Sequence, residues 1–597
     1  MKTQAMVPNP NKKDCLLVTL PSLIVTVIGV YILCYHTEVY ALSWTATPTL
    51  QAQEIYSDNI QLRSNNKQSA FVTSVNPGIS ITGQSPRSNV NFSYRLQTLY
   101  NAGGNNGLNI FNQLQSNSRT TFIPNKLFLN SNTSISQQNI NNNLIGASNV
   151  NGSGNSSNVY TFGLSPSWTP RFGNYANGAL RVNFNTIATD AGSSSNNGLN
   201  TLSDSVNLAE TISLNSGSYF ERVNWNLAFN NNENYRVNSP SVKFQTSNAR
   251  VGIPINSYFN VFAQGGYSKN DFQSTTGSNN SGFFWTAGGQ WRPSQRFNVT
   301  AGAGNNSFVS VYISPIQRLN WTTSYSDNSV GTNLGQFSGG GSGFNSGGNF
   351  GQNSGINSGG GNFGQSSGIN SGGNFGQGSG INGGGSFGQG SGINSGGGNF
   401  GKSWQTALNY QTRRSTWSIT RINNTTTAQQ ILAQNQGFPV QNQPGNPDLN
   451  PRITNNPSFT DDVIVTKTWN FSVSFNTGKS TLSANAFDQN YKSQNNGNNQ
   501  KIIGVSGTWN WQLASKTSSY IRPQWQHNDN QGSANNSQFY TVAIGVNHTI
   551  TSQLNGILEF RHANQTSSGN TVNFLPGNGF SDGYEENRVT ASLFMRF

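Results

Sequence analysis

The chain has 597 residues, of which only 33% are hydrophobic and 9% charged, with a formal net charge of +13. Soluble globular proteins usually contain about 45–50% apolar and about 25% charged residues, so this composition argues against an ordinary soluble protein. Aromatic residues make up 11% of the chain, which argues against a wholly disordered one.

An amino-terminal apolar segment is the first predicted element. Residues 15–35 form the only long apolar run and follow two lysines. A basic flank, an apolar core and a small-residue exit are typical of a secretory signal peptide, so residues 1–41 are predicted to be one. A reserve cleavage site follows Ala52, and the run is also long enough to remain as an uncleaved anchor. Because Cys15 and Cys34 both lie here, the mature chain is predicted to have no disulfide and no thiolate metal site.

Short segments that alternate apolar and polar residues dominate the remaining chain. After a periplasmic segment at 42–70, they are predicted to form a barrel in two parts, 71–330 and 403–597. One apolar residue in two is enough for a lipid-facing side, and uncharged polar residues suit a lumen. The predicted fold class is therefore all-β, a transmembrane antiparallel β-barrel. It has roughly 20–24 strands, with 22 expected.

Connections between these segments are alternately brief and long. Brief turns such as 477–479 and longer polar loops such as 564–583 predict that the brief turns are periplasmic and the long loops extracellular. Tryptophans near strand ends are predicted to form interfacial girdles, with the core of a soluble β-sandwich as the alternative. These tryptophans are Trp168, Trp285, Trp291, Trp404, Trp417, Trp509 and Trp511.

A glycine-rich insert, residues 331–402, interrupts the barrel pattern. Phe and Ile each recur every 12 or 13 residues in a unit that reads roughly GQxSGINSGGxNF. One apolar residue in about six cannot support a large core, so a flexible extracellular loop is predicted. A stacked solenoid is the alternative, because strict periodicity can align identical side chains.

The chain shows no convincing catalytic or metal-binding pattern. His527, His548 and His562 share the apolar side of their strands, so they are predicted to face lipid or the membrane interface and not the lumen. The stretch 364–368 fits G-x-S-x-G, but it lies in the repeat without the strand-turn-helix context of a hydrolase. We therefore predict no enzymatic activity, no cofactor and no metal.

Arginines recur on the predicted polar, lumen-facing sides of the strands. Rings of basic side chains in a pore favour anions, and a basic chain also suits anionic lipopolysaccharide. The alternative is that several of these residues only mark the periplasmic rim, as expected for Arg296, Arg318 and Arg413. The candidate lumen residues are Arg95, Arg181, Arg222, Arg522, Arg561 and Arg588.

The last ten residues carry one resemblance. Arg588 to Phe597 alternate polar and apolar residues and end on Phe, which resembles the closing strand of bacterial outer-membrane β-barrel proteins. That resemblance implies that the barrel-assembly machinery reads the tail. The candidate assembly signal is Leu593, Met595 and Phe597.

A second resemblance covers most of residues 70–597 but not the repeat. It rests on stretches such as 161–173 (TFGLSPSWTPRFG), 284–297 (FWTAGGQWRPSQRF) and 400–427. They resemble a family of uncharacterised proteins associated with the PEP-CTERM/exosortase system of Gram-negative bacteria. This resemblance implies an outer-membrane barrel linked to exopolysaccharide or surface-protein export, and it supplies no catalytic residues.

The leading hypothesis is a porin-like channel in the outer membrane of a Gram-negative bacterium, used in exopolysaccharide or surface-polymer export. Its expected partners are outer-membrane lipid and lipopolysaccharide, the barrel-assembly machinery and an anionic polysaccharide, but no nucleic acid. Two alternatives are a structural or adhesive protein that displays the glycine-rich loop, and a sheath for a partner protein. A soluble β-sandwich adhesin is the remaining interpretation.

Overall fold

The computed structural model describes most of the chain after the predicted signal peptide. The described residues are 43–103, 107–140, 148–151, 156–190, 202–237, 239–272, 281–332, 399–434, 460–495, 497–531, 536–568 and 583–597. The predicted signal peptide and most of the glycine-rich repeat (333–398) lie outside them.

Nearly all described residues belong to β-strands. The strands are β1 Ser43–Ser57, β2 Ala70–Gln84, β3 Ser88–Asn101, β4 Gly107–Ile123, β5 Leu127–Asn139, β6 Ser156–Trp168, β7 Arg171–Phe172, β8 Ala176–Thr189, β9 Ser205–Ser216, β10 Asn224–Arg236, β11 Val242–Pro254, β12 Phe259–Asp271, β13 Gly282–Ser294, β14 Phe297–Gly304, β15 Asn306–Ile316, β16 Leu319–Thr332, β17 Asn399–Gln411, β18 Ser415–Thr427, β19 Val463–Asn476, β20 Ser480–Ser493, β21 Asn499–Ala514, β22 Thr517–Gln531, β23 Asn536–Thr549, β24 Leu554–Ser568 and β25 Tyr584–Arg596. A short helix, α1, spans Ala428–Gln434. Among the described residues, no helix has the length and apolar character needed to cross a membrane.

The strands form one closed antiparallel barrel. Each strand pairs with its neighbours in the chain, except that the two-residue β7 pairs only with β8 and lets β6 reach β8 directly. The barrel wall therefore has 24 strands. It closes where Thr49–Ser57 of β1 pair with Arg588–Arg596 of β25. In the part of the chain that the structure describes, this pairing leaves neither the first nor the last strand of the wall with an open edge.

The outside of the barrel is apolar and the inside is polar. In β23, Tyr540, Val542, Ile544 and Val546 are 36–49% exposed on the outside, whereas Thr541 on the inside is only 3% exposed. Side chains alternate across a strand, and the other strands of the wall also place apolar side chains outside and polar ones inside. A soluble protein has the opposite arrangement. An apolar outer band on a closed barrel is the architecture of barrels that span outer membranes.

The connections differ between the two ends of the barrel. At one end, named here the turn end, eleven short connections join the strands, and both termini of the barrel also lie there. These connections are 85–87, 124–126, 169–175 (which joins β6 to β8 and contains the two-residue β7), 217–223, 255–258, 295–296, 317–318, 412–414, 477–479, 515–516 and 550–553. The opposite end, the loop end, has the twelve remaining connections, including the 66-residue stretch between β16 and β17 that holds the repeat.

The seven tryptophans named in the sequence analysis all lie on the outside, with exposures between 39% and 58%. Five of them lie towards the turn end: Trp168, Trp291, Trp417, Trp509 and Trp511. Trp285 and Trp404 lie in the loop-end half, on β13 and β17. This distribution is the one expected of two interfacial girdles.

The structure confirms the predicted fold class and corrects two details. The expected number of 22 strands was too low, since the wall has 24. Residues 42–70 were predicted to be a periplasmic segment, but Ser43–Ser57 form β1 and complete the barrel. The first half of β1 is rich in Thr and includes Pro48, so its alternation is weak in the sequence. The barrel also includes residues 331–332 and 399–402, which were assigned to the insert.

Candidate functional site: the barrel interior

The interior is lined by uncharged side chains that form hydrogen bonds. Most buried polar side chains of the described residues are Asn, Gln, Ser or Thr, and the charged ones are Arg250, Glu559, Arg561, Glu586 and Arg588. Amide and hydroxyl groups link neighbouring strands, as where Asn207 Nδ2 donates to Asn232 Oδ1 at 2.7 Å. Such a wall can offer many hydrogen bonds to a hydrophilic solute at little electrostatic cost.

The six candidate lumen arginines occupy different environments. Arg561 and Arg588 are buried on the inner face of β24 and β25. Arg522 stacks on Tyr520, with Cζ 3.9 Å from the ring centroid. Arg95 of β3 donates through Nε to Gln113 Oε1 at 2.9 Å on β4.

The other two candidates differ from these four and from each other. Arg181 is half-buried and shares the inner face of β8 with buried Asn183. Arg222 lies exposed in the connection between β9 and β10 at the turn end. The structure thus places Arg222 outside the strands, and it is removed from the set of candidate lumen residues.

A buried cluster of charges joins the last two strands. Arg561 and Arg588 lie directly opposite each other in the β24–β25 pairing. Two like charges in that position repel each other. Glu586 offsets this repulsion, because its Oε2 accepts from Arg561 Nη2 at 2.5 Å and its Oε1 from Arg588 Nη2 at 2.8 Å. The Glu586 side chain is 0% exposed, so the attraction is little screened by water.

The same carboxylate holds segments from the loop end. Glu586 Oε1 also accepts from Ser57 Oγ at 2.7 Å and from Asn151 Nδ2 at 3.1 Å. Asn151 in turn accepts from Arg588 Nη2 at 2.8 Å through Oδ1. Asn151 lies between β5 and β6, so the cluster ties that connection to the wall formed by β25 and β1.

A second polar group lies nearer the turn end on β22 and β24. Tyr520 donates to Glu559 Oε2 at 2.6 Å, and Arg522 Nη1 lies 3.9 Å from the same oxygen. The Tyr520 ring lies flat across Gly545 of the neighbouring strand β23. A Cβ at Gly545 would lie 2.2 Å from the ring, so only glycine admits this arrangement.

Connections at the loop end fold into the mouth of the barrel. Leu202 of the β8–β9 connection and Leu432 of α1 are buried, and they share one apolar cluster with wall residues of widely separated strands. Those wall residues include Val159 of β6 and Ile502 of β21. Each buried Leu or Ile contributes about 1.5–3 kcal/mol relative to exposure. Apolar packing therefore bridges the mouth between distant parts of the wall.

Asp461 holds three of these connections together. Its carboxylate accepts from Ser203 N at 2.9 Å, from Ser239 Oγ at 2.5 Å and from Gln429 Nε2 at 2.8 Å. The three donors come from the β8–β9 connection, the β10–β11 connection and α1. The guanidinium of Arg236 donates to the backbone carbonyl of Asp461. Four residues thus donate hydrogen bonds to one residue of the mouth.

The three histidines of the strands lie on the outward sides of those strands, where His548 is exposed and His527 and His562 are half-buried. His548 is exposed and pairs with Thr517 Oγ1 at 2.9 Å, and His527 stacks on Trp525. His562 packs against Tyr540, whose ring faces outward. Within the described ranges, no group of three or more His, Cys, Asp or Glu side chains could hold a metal ion.

The residues of the candidate assembly signal end the closing strand. Leu593 is 50% and Phe597 62% exposed on the outside, and Met595 pairs with Leu50 of β1 and Leu554 of β24. The backbone N–H of Phe597 donates to Pro48 O at 3.1 Å. The side chains of Leu593 and Phe597 are therefore accessible from outside the barrel.

No protein-family profile and no curated protein matches this chain, so the PEP-CTERM resemblance remains a prediction. Solved structures of similar shape include a mutant of the ferric enterobactin receptor PfeA of Pseudomonas aeruginosa, at 9% identity and a TM-score of 0.40, covering 92% of this chain and 80% of the receptor. The FrpB iron transporter of Neisseria meningitidis is 10% identical at a TM-score of 0.39, covering 92% of this chain and 82% of FrpB. The siderophore receptor PirA of Acinetobacter baumannii is 8% identical at a TM-score of 0.37, covering 93% of this chain and 81% of PirA. Likeness at this level says nothing about what the chain binds.

Proposed function

We propose that this outer-membrane β-barrel is a non-enzymatic channel for a hydrophilic solute, closed in its resting state by the connections at its loop end. The observation that carries the proposal is the contrast between an interior lined by uncharged hydrogen-bonding groups and a mouth bridged by apolar clusters. A conduit for water and polar solutes requires such a polar interior.

The mouth contacts support a closure that can open. Ile60 and Val150 belong to connections of the loop end and are buried against wall residues such as Ile55 and Leu99. Glu586 holds Asn151, which is next to Val150 in the chain, and Asp461 holds the connections that contain Ser203 and Ser239. Loss of a few such contacts is within the range of local opening events in a folded protein.

A saccharide is the solute class that best suits this wall. Sugar hydroxyls pair with Asn, Gln, Ser and Thr side chains, and the inner arginines exceed the inner acids among the charged residues described above. That excess favours an anionic polysaccharide over a cationic solute. Export of exopolysaccharide, implied by the family resemblance, fits this chemistry.

Proteoliposome swelling tests the proposal. We expect oligosaccharides to enter liposomes that contain D461N, in which the mouth is loosened, faster than liposomes with the wild type. The matched control is D462N, because Asp462 lies next in the chain and its carboxylate accepts from Ser493 Oγ, at 2.5 Å, rather than from the mouth connections. Uptake by D461N no greater than that of protein-free liposomes, with folded protein in the membrane, overturns the channel.

Display of the glycine-rich repeat is the second candidate function. The repeat joins β16 and β17 at the loop end, together with the other long connections. If that end is extracellular, the repeat is presented at the cell surface. Protease added to intact cells should then cleave the repeat and leave the barrel strands protected. Protection of the repeat in intact cells would exclude display.

A further inference from the structure

The turn end carries a ring of positive charge. Nine of the eleven short connections contain Arg or Lys, and together they hold ten basic residues and one acid, Glu221. All ten bases are exposed. We name this set the basic collar: Arg87, Lys126, Arg171, Arg222, Arg296, Arg318, Arg413, Arg414, Lys479 and Lys516.

The collar is not simply a consequence of a basic chain. In the described parts of the loop-end connections, five acids outnumber two bases. The acids include Asp461, which is used within the mouth, while Lys67 pairs with Glu585 at 3.1 Å. The two ends of the barrel therefore differ in sign.

Exposed tryptophans lie immediately next to the collar, on the outside of the same strands. Trp291 is five residues from Arg296, Trp417 three residues from Arg414, and Trp511 five residues from Lys516. Their side chains are 40–50% exposed. Tryptophan in a membrane barrel marks the boundary between acyl chains and headgroups. The collar is thus at the depth of the phosphates of the adjoining leaflet.

We propose that the basic collar binds the headgroups of anionic glycerophospholipids in the leaflet at the turn end. Ten exposed cations around the rim, with a single acid among them, match the negative surface of such a leaflet in charge and in position. Guanidinium groups can bind phosphate oxygens through two hydrogen bonds. This inference concerns the outer rim of the barrel and does not depend on whether the lumen conducts.

Quenching of tryptophan fluorescence by brominated lipids tests the proposal, because the girdle reports which lipid lies beside the collar. The folded protein is reconstituted in phosphatidylcholine vesicles that contain brominated phosphatidylglycerol or, in parallel, brominated phosphatidylcholine. We expect the phosphatidylglycerol to be enriched about three- to tenfold at the wild-type surface, and this enrichment to fall at high salt.

A collar variant and a matched control distinguish the effect of where the basic residues lie from the effect of the protein's net charge. The collar variant is R171Q/R296Q/R318Q/K479Q, and we expect it to lose most of the enrichment. The control, K269Q/K402Q/K467Q/K492Q, removes the same charge from exposed positions in the loop-end half and should keep the enrichment.

Three results would overturn the proposal. The wild type could be quenched equally by both lipids, or the control could lose as much enrichment as the collar variant. The third is collar-dependent binding of soluble polyglutamate in neutral detergent without any preference among lipids. That result would assign the collar to a soluble acidic partner instead.

Discussion

The buried carboxylate of Glu586 provides the sharpest test of how the β5–β6 connection is held against the wall. In the variant E586Q the side chain keeps its size but loses its negative charge. Arg561 and Arg588, which lie opposite each other, then lose the charge that offsets their repulsion. The new amide group also presents N–H donors where both arginines require an acceptor.

The magnitude follows from burial. All three side chains are at most 3% exposed. Removing one partner of a buried ion pair costs about 3–5 kcal/mol, because the remaining charge stays buried without compensation. We expect the free energy of unfolding to fall by about that amount. The hydrogen bonds to Ser57 and Asn151 weaken as well, so the β5–β6 connection should become accessible.

Urea unfolding in detergent, followed by tryptophan fluorescence, measures the loss of stability. Limited proteolysis of the folded protein measures the release of the connection that contains Asn151. The matched control is E585Q, the neighbouring residue, whose side chain is 46% exposed and pairs with Lys67 at the surface. Exposed pairs contribute little, so the control should unfold at nearly the wild-type urea concentration.

A rescue variant shows whether E586Q loses stability because the arginine charges are no longer balanced or because any change at this position damages the fold. Replacing all three charges with apolar residues, as R561M/E586L/R588M, should recover most of the stability, because a buried ion cluster can often be replaced by well-packed apolar side chains. If E586Q unfolds at the same urea concentration as E585Q, the buried cluster does not hold β24 and β25 as described here.

Three further predictions concern processing, assembly and packing. The mature protein should begin at Leu42 in amino-terminal sequencing, because cleavage at the reserve site would remove ten of the fifteen residues of β1; a later start would contradict the role of β1 in closing the barrel. F597A should lower the amount of folded protein in the outer membrane without changing folding in detergent, since the backbone bond to β1 remains; equal loss in both would contradict an assembly signal. G545A should lower the free energy of unfolding by about 1–3 kcal/mol, because the added methyl group displaces the Tyr520 ring. The control G507A, where a Cβ would have its nearest contact at 3.4 Å, should be close to neutral. Similar losses for both variants in urea unfolding would contradict this packing.

The strands of the wall could be predicted because each one is a local pattern. In β23 and β25 the alternation alone fixes which side faces outward, and the exposures agree with it. β1 was missed because threonine and proline weaken its alternation. Its place in the barrel depends on pairing with β25, more than 500 residues away.

The contacts that bridge the mouth could not be predicted from the sequence for a related reason. Asp461 contacts Ser203, 258 residues earlier in the chain, and nothing near either residue marks the pairing. α1 is a seven-residue helix without charged residues in its end turns, so it has no clear sequence signal. Glu586 was likewise not singled out, because only the fold brings Ser57 and Asn151 to it.

Single-channel recording in a planar bilayer tests the central claim most directly. The wild type should show rare, brief openings, and D461N should show long openings of the same unit conductance, with anions preferred. Identical unit conductance would mean that the substitution opens the existing polar lumen for longer and does not create a new path. If neither protein conducts, although proteolysis and heat-modifiable mobility prove that both are folded and inserted, the barrel is not a closed channel.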